Sequence, residues 1–390
     1  MAQFYDGIEV HREEKIIYVK FLAPHRVLST CRSSAGGLRD DLEYLYNHQA
    51  CEPIGHYLNT HEAAVHAPDE YRRLISERHG LPAVKCATLG TAANMNNVAI
   101  VHASFRELEV VAICTGGVET NAGRAGDPAS YYQVDGRFEM LDREAPEVSG
   151  TSEVSTGTIN TMVLINQELE PGVMVSAVIT ATEAKTAALQ ELGVPSRYSD
   201  GLATGTGTDQ IAVAARLGTG TPLFDAGKHS KLGELIGRTV HDAVRQALAI
   251  QNGLTPLRRC SALAHIERLG ADKDAMCAGI GVFLSGEEKR LFEQNFSSIN
   301  GDPPTVAAVA ALVHLRDKFA WGILPQSCLP EVMSSYGAQV SAAVSGKRGR
   351  LQVYRERLSQ EETSTDNGPF LRLIYRAFAL GFSEKWTWSQ

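Results

Sequence analysis

Short apolar, β-branched runs separated by polar turns dominate the chain as far as residue 253, and this pattern predicts β-strands. From Lys15 to Thr30 two such runs are divided by Pro24, which predicts a strand pair. That pair leads into a turn of small residues ending at Gly37. Five further runs have strand-like composition: Ala83 to Thr88, Asn97 to Val101, Leu108 to Thr115, Thr158 to Ile165 and Asp209 to Ala215.

Two long helices are predicted in the same part of the chain. The stretch Val173 to Leu192 lies between Pro171-Gly172 and Gly193, residue types that commonly begin and end helices. From Lys231 to Gln251 the apolar residues recur at every third or fourth position, which is typical of an amphipathic helix. These apolar residues are Leu232, Leu235, Ile236, Val240, Val244 and Leu248.

After Gly253 the strand signals become rare and alanine-rich helical patterns replace them. The helical patterns occupy residues 260–268, 286–296, 304–318, 329–344 and 369–380. We therefore expect an α+β fold, in which a mixed β-sheet is layered with helices over residues 1–253. A mainly helical C-terminal domain or extension is expected over residues 254–390.

The composition is that of a folded globular protein. Hydrophobic residues make up 44% of the 390 residues and charged residues 21%, which excludes a disordered chain. The net charge of −8 argues against non-specific binding of nucleic acid. The longest clean apolar run, Val306 to Val313, is far shorter than the ~20 residues that cross a membrane.

The cysteines and histidines do not form a recognisable metal or redox motif. The seven cysteines are scattered and contain no C-x-x-C pair, which favours reduced thiols and a cytoplasmic protein. The histidines at positions 48, 56, 61 and 66 lack the spacing of known metal ligands, so no metal site is predicted.

Two glycine-rich stretches resemble nucleotide-binding loops but lack required residues. The stretch Gly205 to Gln210 begins like a dinucleotide fingerprint, but glutamine stands where the third glycine is needed and a strand follows. Gly227-Lys228-His229-Ser230 resembles the end of a phosphate loop, but Pro222 stands where its first glycine is needed. Neither stretch predicts a nucleotide site.

Four polar, glycine-rich loops lie at the ends of apolar runs, where binding and catalytic residues are common. They span Cys114 to Asp127, Gly157 to Thr161, Thr204 to Asp209 and Gly227 to Lys231. A further polar stretch, Thr182 to Lys185, interrupts an otherwise apolar helix. We expect these segments to converge around one wide pocket.

Six short motifs occur in a fixed order between about Ile16 and Leu248. They are Leu28-Ser29-Thr30 with Gly36-Gly37 and Asn47; Asn121 with Arg124-Ala125-Gly126-Asp127; Gly157 to Thr161; Thr182-Glu183-Ala184-Lys185; Ala203 to Asp209; and Leu232-Gly233 with Leu235-Ile236-Gly237. In this set and order the chain resembles the adenosylcobinamide amidohydrolases of cobamide salvage. It departs from them at Gly227 to Lys231, where the family has a small, neutral stretch.

The resemblance implies hydrolysis of the amide that joins the aminopropanol arm, or its phosphate, to the corrin ring of adenosylcobinamide. The product would be adenosylcobyric acid, a precursor for cobamide salvage. The corrinoid is the substrate, and no cofactor is expected to be required. Because a corrin is a broad, amide-fringed disc, we expect an apolar cleft edged with asparagine and threonine. The apolar helix faces of the C-terminal region would pack on the catalytic domain or in a homo-oligomer.

Amide hydrolysis requires an activated nucleophile, donors to the tetrahedral oxyanion and a proton for the leaving amine. The catalytic candidates are the carboxylates Asp127, Glu183 and Asp209, as activators of water or of a nucleophile, together with the amides Asn121 and Asn160. The substrate-binding candidates are Gly116, Gly117, Arg124, Thr158, Thr161, Thr206, Thr208, Lys228 and His229. The N–H groups of Gly116 and Gly117, with the Asn121 amide, would receive the oxyanion, and Arg124, Lys228 and Lys231 would meet a phosphate.

Structural interpretations of the same residues remain open. Arg124 and Asp127 can form an ion pair within their loop, and Asp209 can hold the loop that precedes it. Glu183 is interpreted as a buried acid or a surface residue. Cys114, Thr161 and Thr208 are alternatives to water as the nucleophile. A different class of function, a corrinoid-binding or carrier protein without catalysis, is the second hypothesis.

Overall fold

The computed structural model describes residues 1–51, 60–135, 137–141 and 157–386. The chain divides into two compact units, Met1–Thr255 and Pro256–Gln390. The first unit contains all of the strands found in the described residues, with four α-helices, and the second contains helices. The predicted α+β class with a helical C-terminal region is confirmed.

The first sheet of unit 1 has five strands in the order β1-β2-β3-β6-β7. Its strands are β1 (Ala2–Gln3), β2 (Ile8–Glu13), β3 (Ile16–Phe21), β6 (Tyr44–Gln49) and β7 (Cys86–Thr91). The β6 and β7 strands run parallel, whereas the other neighbours are antiparallel.

The second sheet has six strands in the order β5-β4-β15-β13-β9-β8. Its strands are β4 (His25–Ser29), β5 (Gly37–Arg39), β8 (Ala99–Phe105), β9 (Leu108–Gly116), β13 (Ile159–Ile165) and β15 (Gln210–Arg216). The β13 and β15 strands run parallel, so that their first residues, including Asn160 and Gln210, lie side by side. Two small ladders complete the unit: β10 (Ala122–Gly123) with β14 (Gly205–Thr206), and β11 (Tyr131–Val134) with β12 (Arg137–Met140).

The predicted pairing of the two runs between Lys15 and Thr30 is wrong. Strand β3 pairs with β2 and β6 in the first sheet, whereas β4 pairs with β15 and β5 in the second. The chain therefore crosses from one sheet to the other around Pro24. Val19 on β3 and Val27 on β4 are both fully buried in the apolar layer between the sheets, so each strand buries its apolar face without pairing with the other.

Unit 1 is built as four layers. One face of each sheet meets the other in a core that includes Val19, Leu45, Ile113 and Met162. The outer face of the second sheet packs on α3 (Pro171–Glu191) and α4 (Lys231–Asn252), and the outer face of the first sheet packs on α2 (Pro68–Arg78), which follows the short helix α1 (His61–His66). Loops at one end of the two sheets therefore meet across the inner layer.

The two long helices of unit 1 begin and end as their sequences predict. Pro171 occupies the first turn of α3, where its missing N–H has no intrahelical partner to lose. The Ser230 side chain accepts a hydrogen bond from the Gly233 N–H at the start of α4. Gly253 ends α4 with a left-handed φ of 64°, a conformation that favours glycine.

The described residues of unit 2 form helices joined by short connections, with no strand among them. Its helices are α5 (Pro256–Arg259), α6 (Ala262–Ile266), α7 (Lys273–Gly281), α8 (Gly286–Asn300), α9 (Pro303–Ala320), α10 (Leu329–Ser345), α11 (Leu351–Leu358) and α12 (Asn367–Lys385). Each of the five predicted helical stretches coincides with one of them, and α5, α7 and α11 were not predicted. Its core is aromatic, with Phe292 in edge contact with Phe296 and Phe382. Across the described residues, no helix combines the length and apolar character needed to cross a membrane.

Candidate active site

A cavity of about 660 Å³ opens in unit 1 where the ends of the two sheets meet. Residues at the ends of β4, β6 and β7 form part of its wall, and residues at the beginnings of β13 and β15 form the facing part. The lining residues are Thr30, Arg32, Ser33, Ala50, His61, Ala64, Val65, Pro68, Tyr71, Thr88, Gly90, Thr91, Ala92, Tyr131, Gln133, Phe138, Met140, Gly157, Thr158, Gly207, Thr208, Asp209 and Gln210. Three of the predicted site residues, Thr158, Thr208 and Asp209, are therefore together on one wall.

Asp209 is surrounded by hydrogen-bond donors. Its Oδ1 accepts from the Ile159 N–H at 2.9 Å and from the Thr206 hydroxyl at 2.5 Å. Its Oδ2 accepts from the Thr206 N–H at 3.1 Å and from the Lys185 ammonium group. These bonds tie the turn before β15 to the start of β13 and to α3. Both oxygens are engaged, so the carboxylate holds the cavity wall in place.

Asn121 is hydrogen-bonded to residues of the same wall but lies outside the cavity lining. Its amide nitrogen donates to the Gly157 carbonyl at 3.0 Å and to the Thr208 hydroxyl at 3.3 Å, and its carbonyl accepts from the Tyr198 hydroxyl at 2.8 Å. Both amide hydrogens are thus committed to neighbouring loops, and Asn121 does not line the cavity. In this arrangement it positions the wall and is not poised to receive an oxyanion.

The two threonines on the wall form a short hydroxyl chain. The Thr158 and Thr208 hydroxyl oxygens are 2.7 Å apart, and Thr208 donates to the Gly157 carbonyl at 2.8 Å. A hydroxyl nucleophile needs a base to take its proton, and a peptide carbonyl is not one. The N–H of Gly117 is also committed, because it donates to the Thr158 carbonyl at 3.1 Å. Gly116 lies within β9, where an added Cβ would be 2.9 Å from Leu248.

Asn160 lies just behind the cavity wall and is fully buried. Its amide nitrogen donates to the Gly90 carbonyl at 2.8 Å and to the Asn47 side-chain oxygen at 2.9 Å. Asn47 in turn donates to the Thr115 hydroxyl at 2.8 Å. The Oδ1 atom of Asn160 is buried and accepts no hydrogen bond from the residues that the structure describes. Two sheets are therefore joined by a buried amide chain that ends at the cavity residue Gly90.

Thr161 and Cys114 face the helix-covered side of the second sheet, away from the inner layer. The Thr161 hydroxyl donates to the Cys114 sulfur at 3.8 Å. Burial raises the pKa of the Cys114 thiol to about 12, although the hydrogen bond from Thr161 works in the opposite direction. The thiol stays protonated near neutral pH, which argues against Cys114 as the nucleophile.

Asp127 belongs to a neighbouring loop and does not line the cavity. Its Oδ2 accepts from the Arg124 N–H at 2.7 Å and from the Ser196 hydroxyl at 2.6 Å. Partial burial acts to raise the pKa of Asp127, but hydrogen bonds from Ser196 and Ser199 outweigh it and hold the pKa below its usual value. Asp127 is an ionised residue that shapes the loop, and Arg124 likewise lies outside the cavity lining.

The interpretation of Glu183 as a buried acid is wrong. Its side chain is 49% exposed and forms an ion pair with Lys228, which is 65% exposed. Lys231 pairs with Glu234 at 2.5 Å in the first turn of α4. None of these residues lines the cavity, and neither does His229. The structure therefore does not bring the Gly227–Lys231 loop to the cavity.

The β11–β12 hairpin forms an apolar wall of the cavity that was not predicted from the sequence. Tyr131 faces Met140 across the ladder and Gln133 faces Phe138, and these four residues line the cavity. The rings of Tyr131 and Phe138 are in edge contact, with centroids 4.9 Å apart. Between the two strands the sequence has Asp135-Gly136, a dipeptide that is frequent in hairpins, and Asp135 has a positive φ of 47°. The hairpin could have been predicted from that dipeptide.

Two histidine-containing contacts were also missed. His61, at the start of α1, lines the cavity, and its Nδ1 is 3.3 Å from the Cys51 sulfur. On α2, the hydroxyl of the lining residue Tyr71 is 2.8 Å from His48 Nδ1. Burial lowers the pKa of His48 to about 3, so that this imidazole is neutral at physiological pH. Among the described residues, no cluster of three or more histidine, cysteine or acidic side chains is arranged to hold a metal ion.

Comparison with known proteins shows a match between this sequence and one family. The profile of the family described as adenosylcobinamide amidohydrolase matches residues 1–256. An uncharacterized protein of Methanocaldococcus jannaschii is 34% identical over 241 residues, which cover 62% of this chain and 88% of that protein. Because the family profile spans more than half of the chain, we conclude that this protein belongs to the adenosylcobinamide amidohydrolase family.

Proposed function

We propose that the protein hydrolyses the amide that links aminopropanol, or its phosphate, to the corrin ring of adenosylcobinamide, yielding adenosylcobyric acid. The observation that carries this proposal is the convergence of family motifs on one cavity. Thr30, Gly157-Thr158 and Thr208-Asp209 come from three separate segments of the chain and line the same 660 Å³ space. The corrinoid is the substrate in this proposal, and the proposed reaction uses no cofactor.

The cavity has an apolar wall and a polar wall, which match the apolar faces and the amide-bearing edge of a corrinoid. Tyr131, Phe138 and Met140 offer an apolar surface, with exposed fractions of 52%, 50% and 75%. An apolar ring face placed against them would remove that surface from water, which favours binding. The opposite wall carries hydroxyl and amide groups that would hydrogen-bond the fringe of the ring. We therefore propose that the ring lies against the hairpin, with its amide arm toward Thr158 and Asp209.

Proton transfer in this proposal is assigned to His61. Histidine is the side chain that most often moves protons in enzymes, and His61 lies on the cavity wall. Asp209 is assigned the different part of holding the Thr206–Thr208 turn, because its oxygens are already engaged by Lys185, Ile159 and Thr206. The same assignment explains why a carboxylate is present on the wall without being free to act as a base.

The proposed reaction balances with water as the nucleophile. The water oxygen bonds to the amide carbon while His61 takes one water proton, and the carbonyl electron pair moves to oxygen as an oxyanion. When the oxyanion collapses, the C–N bond breaks and the proton on His61 passes to the leaving nitrogen. The products are the corrin carboxylic acid and aminopropanol, so one water is consumed for each amide cleaved.

The direct test is release of aminopropanol from adenosylcobinamide by the full chain, followed by mass spectrometry. We expect stoichiometric formation of aminopropanol and adenosylcobyric acid, and we expect His61→Gln to abolish it. The matched control is His66→Gln, which alters the exposed last residue of the same helix. Tight binding of adenosylcobinamide without any release would contradict the proposal and support a corrinoid carrier instead.

A further inference from the structure

Gln210 has one end of its side chain fixed and the other end available to the cavity. Its Oε1 accepts a hydrogen bond from the Gly90 N–H at 2.8 Å, which settles which end of the amide is the oxygen. Its Nε2 has no hydrogen-bond partner among the described residues. Gln210 lines the cavity beside Asp209. Two N–H donors on a fixed amide therefore remain for a ligand.

The group that fixes Gln210 is itself held from the buried side. Gly90 donates to Gln210 through its N–H and accepts from Asn160 through its carbonyl at 2.8 Å. Asn160 is fully buried and is bonded onward to Asn47. This chain restricts the Gly90 peptide, and through it the direction of the Gln210 amide. Donors that are held in place before charge develops stabilise a transition state most effectively.

Three donors in the segments around the cavity already have partners within the protein. Asn121 donates both of its amide hydrogens to Gly157 and Thr208, and Gly117 donates to Thr158. The Thr30 hydroxyl donates to the Ile211 carbonyl at 3.2 Å. Asn121 and Gly117, two of the groups expected from the sequence to donate to the oxyanion, are thus committed, whereas the Gln210 amide is not.

We propose that Gln210 is a catalytic residue whose Nε2 donates to the scissile carbonyl oxygen as it becomes the oxyanion, with Gly90 and Asn160 as positioning residues. This inference rests on the proposed amide hydrolysis. In the reaction the carbonyl electron pair moves to oxygen, the Gln210 N–H donates a hydrogen bond to the resulting oxyanion, and the pair returns to re-form the carbonyl when the C–N bond breaks. No bond to the protein is formed.

The deciding experiment compares Gln210→Glu with Gln210→Ala in the full chain. Glutamate keeps an oxygen for the Gly90 N–H but replaces the free donor with an acceptor. We expect both variants to lower kcat roughly 100- to 1000-fold, as loss of an oxyanion donor does elsewhere. Far-UV circular dichroism and the midpoint of thermal unfolding report whether each variant is folded, independently of any ligand contact with residue 210. The matched control is Gln3→Glu, which alters an exposed glutamine of unit 1 that does not line the cavity and should retain kcat within threefold.

A structural role for Gln210 would give a different result. Gln210→Glu would then retain kcat within threefold of the wild type while Gln210→Ala lost activity, and the inference would be overturned. Wild-type kcat within threefold in both variants would overturn it as well. Failure of the wild type itself to release aminopropanol would instead reject the proposed function, so the two failures are distinguishable.

Discussion

Two lysine–carboxylate pairs start from neighbouring positions on α3 and end in different surroundings. Lys185 pairs with Asp209, and the two side chains are 14% and 16% exposed. Glu183, two residues earlier, pairs with Lys228, and those side chains are 49% and 65% exposed. The first pair is bonded into the cavity wall through Ile159 and Thr206, whereas the second has no such connection in the described residues.

The difference shows that nearness in a sequence motif does not decide which residue serves the site. Residues two apart on a helix point about 200° apart, so Glu183 and Lys185 cannot both face the sheet. Burial then changes what each pair does. An ion pair on the surface is screened by solvent and contributes little to stability. A mostly buried pair, in contrast, fixes the position of the groups bonded to it. We therefore expect the two pairs to respond very differently to the same substitutions.

The largest contrast is expected when each carboxylate is neutralised. Asp209→Asn should lower turnover of adenosylcobinamide by roughly 100-fold, because the replaced oxygen loses its donors and the Thr206–Thr208 turn shifts. Glu183→Gln should leave turnover within about twofold, since a surface pair contributes little to the structure around it. Steady-state kinetics on both variants measures this difference directly. Equal losses would mean that Glu183 acts in the reaction.

Removing the lysines is expected to separate the pairs by stability. Lys185→Met should lower the free energy of unfolding by about 2 kcal/mol, because it leaves a mostly buried carboxylate with one donor fewer. Lys228→Met should change it by about 0.5 kcal/mol or less. Urea unfolding monitored by circular dichroism gives both values. If Lys228→Met were the more destabilising, the distinction between the pairs would not hold.

The β11–β12 hairpin allows the same comparison between two of its faces. Tyr131→Ala should raise KM for adenosylcobinamide about tenfold, because the lost contact with the ring is worth about 1.4 kcal/mol. Tyr132→Ala is the matched control, since Tyr132 is similarly exposed but does not line the cavity. We expect its KM to change less than twofold. Similar KM values for both variants would exclude the hairpin from ring binding.

The smallest effect is expected for the charge that meets a phosphorylated arm. Arg32 lines the cavity, whereas Lys228 and Lys231 pair with acidic residues outside it. Arg32→Ala should reduce the ratio of kcat/KM for phosphorylated over unphosphorylated substrate about threefold, and Lys228→Met should not change it. Assays at two salt concentrations provide the check, because an exposed charge is screened. If only Lys228→Met lowered this ratio, the phosphate would bind at the Gly227–Lys231 loop and not beside Arg32.

Local sequence signals predicted much of the architecture. Pro171 and Gly193 predicted the limits of α3, and the apolar runs predicted the inner strands of the second sheet, but β2 and β6 of the first sheet were not predicted. Pairing between β3 and β4 was not predictable in this way, because adjacent strands in the chain can join either of two stacked sheets. The three-to-four spacing of α4 predicted its buried face, which includes Leu232, Ile236 and Val240.

The site was predictable only where the residues lie at strand ends. Thr158 immediately precedes β13, and Asp209 immediately precedes β15. The parallel pairing of these two strands brings the two residues together. Gln210 was overlooked because its importance depends on Gly90, which lies 120 residues away in the chain. The helix period of 3.6 residues shows that Glu183 and Lys185 face different directions, but it does not show which of them faces the site, and the choice of Glu183 was wrong.

A crystal structure of the full chain with adenosylcobyric acid, a product with no aminopropanol amide left to hydrolyse, tests the location of the reaction most directly. It should show the corrin ring against Tyr131 and Phe138, with the new carboxylate within hydrogen-bonding distance of Gln210 Nε2. A corrin ring bound beside Glu183 and Lys228, or anywhere outside the cavity, would contradict the account.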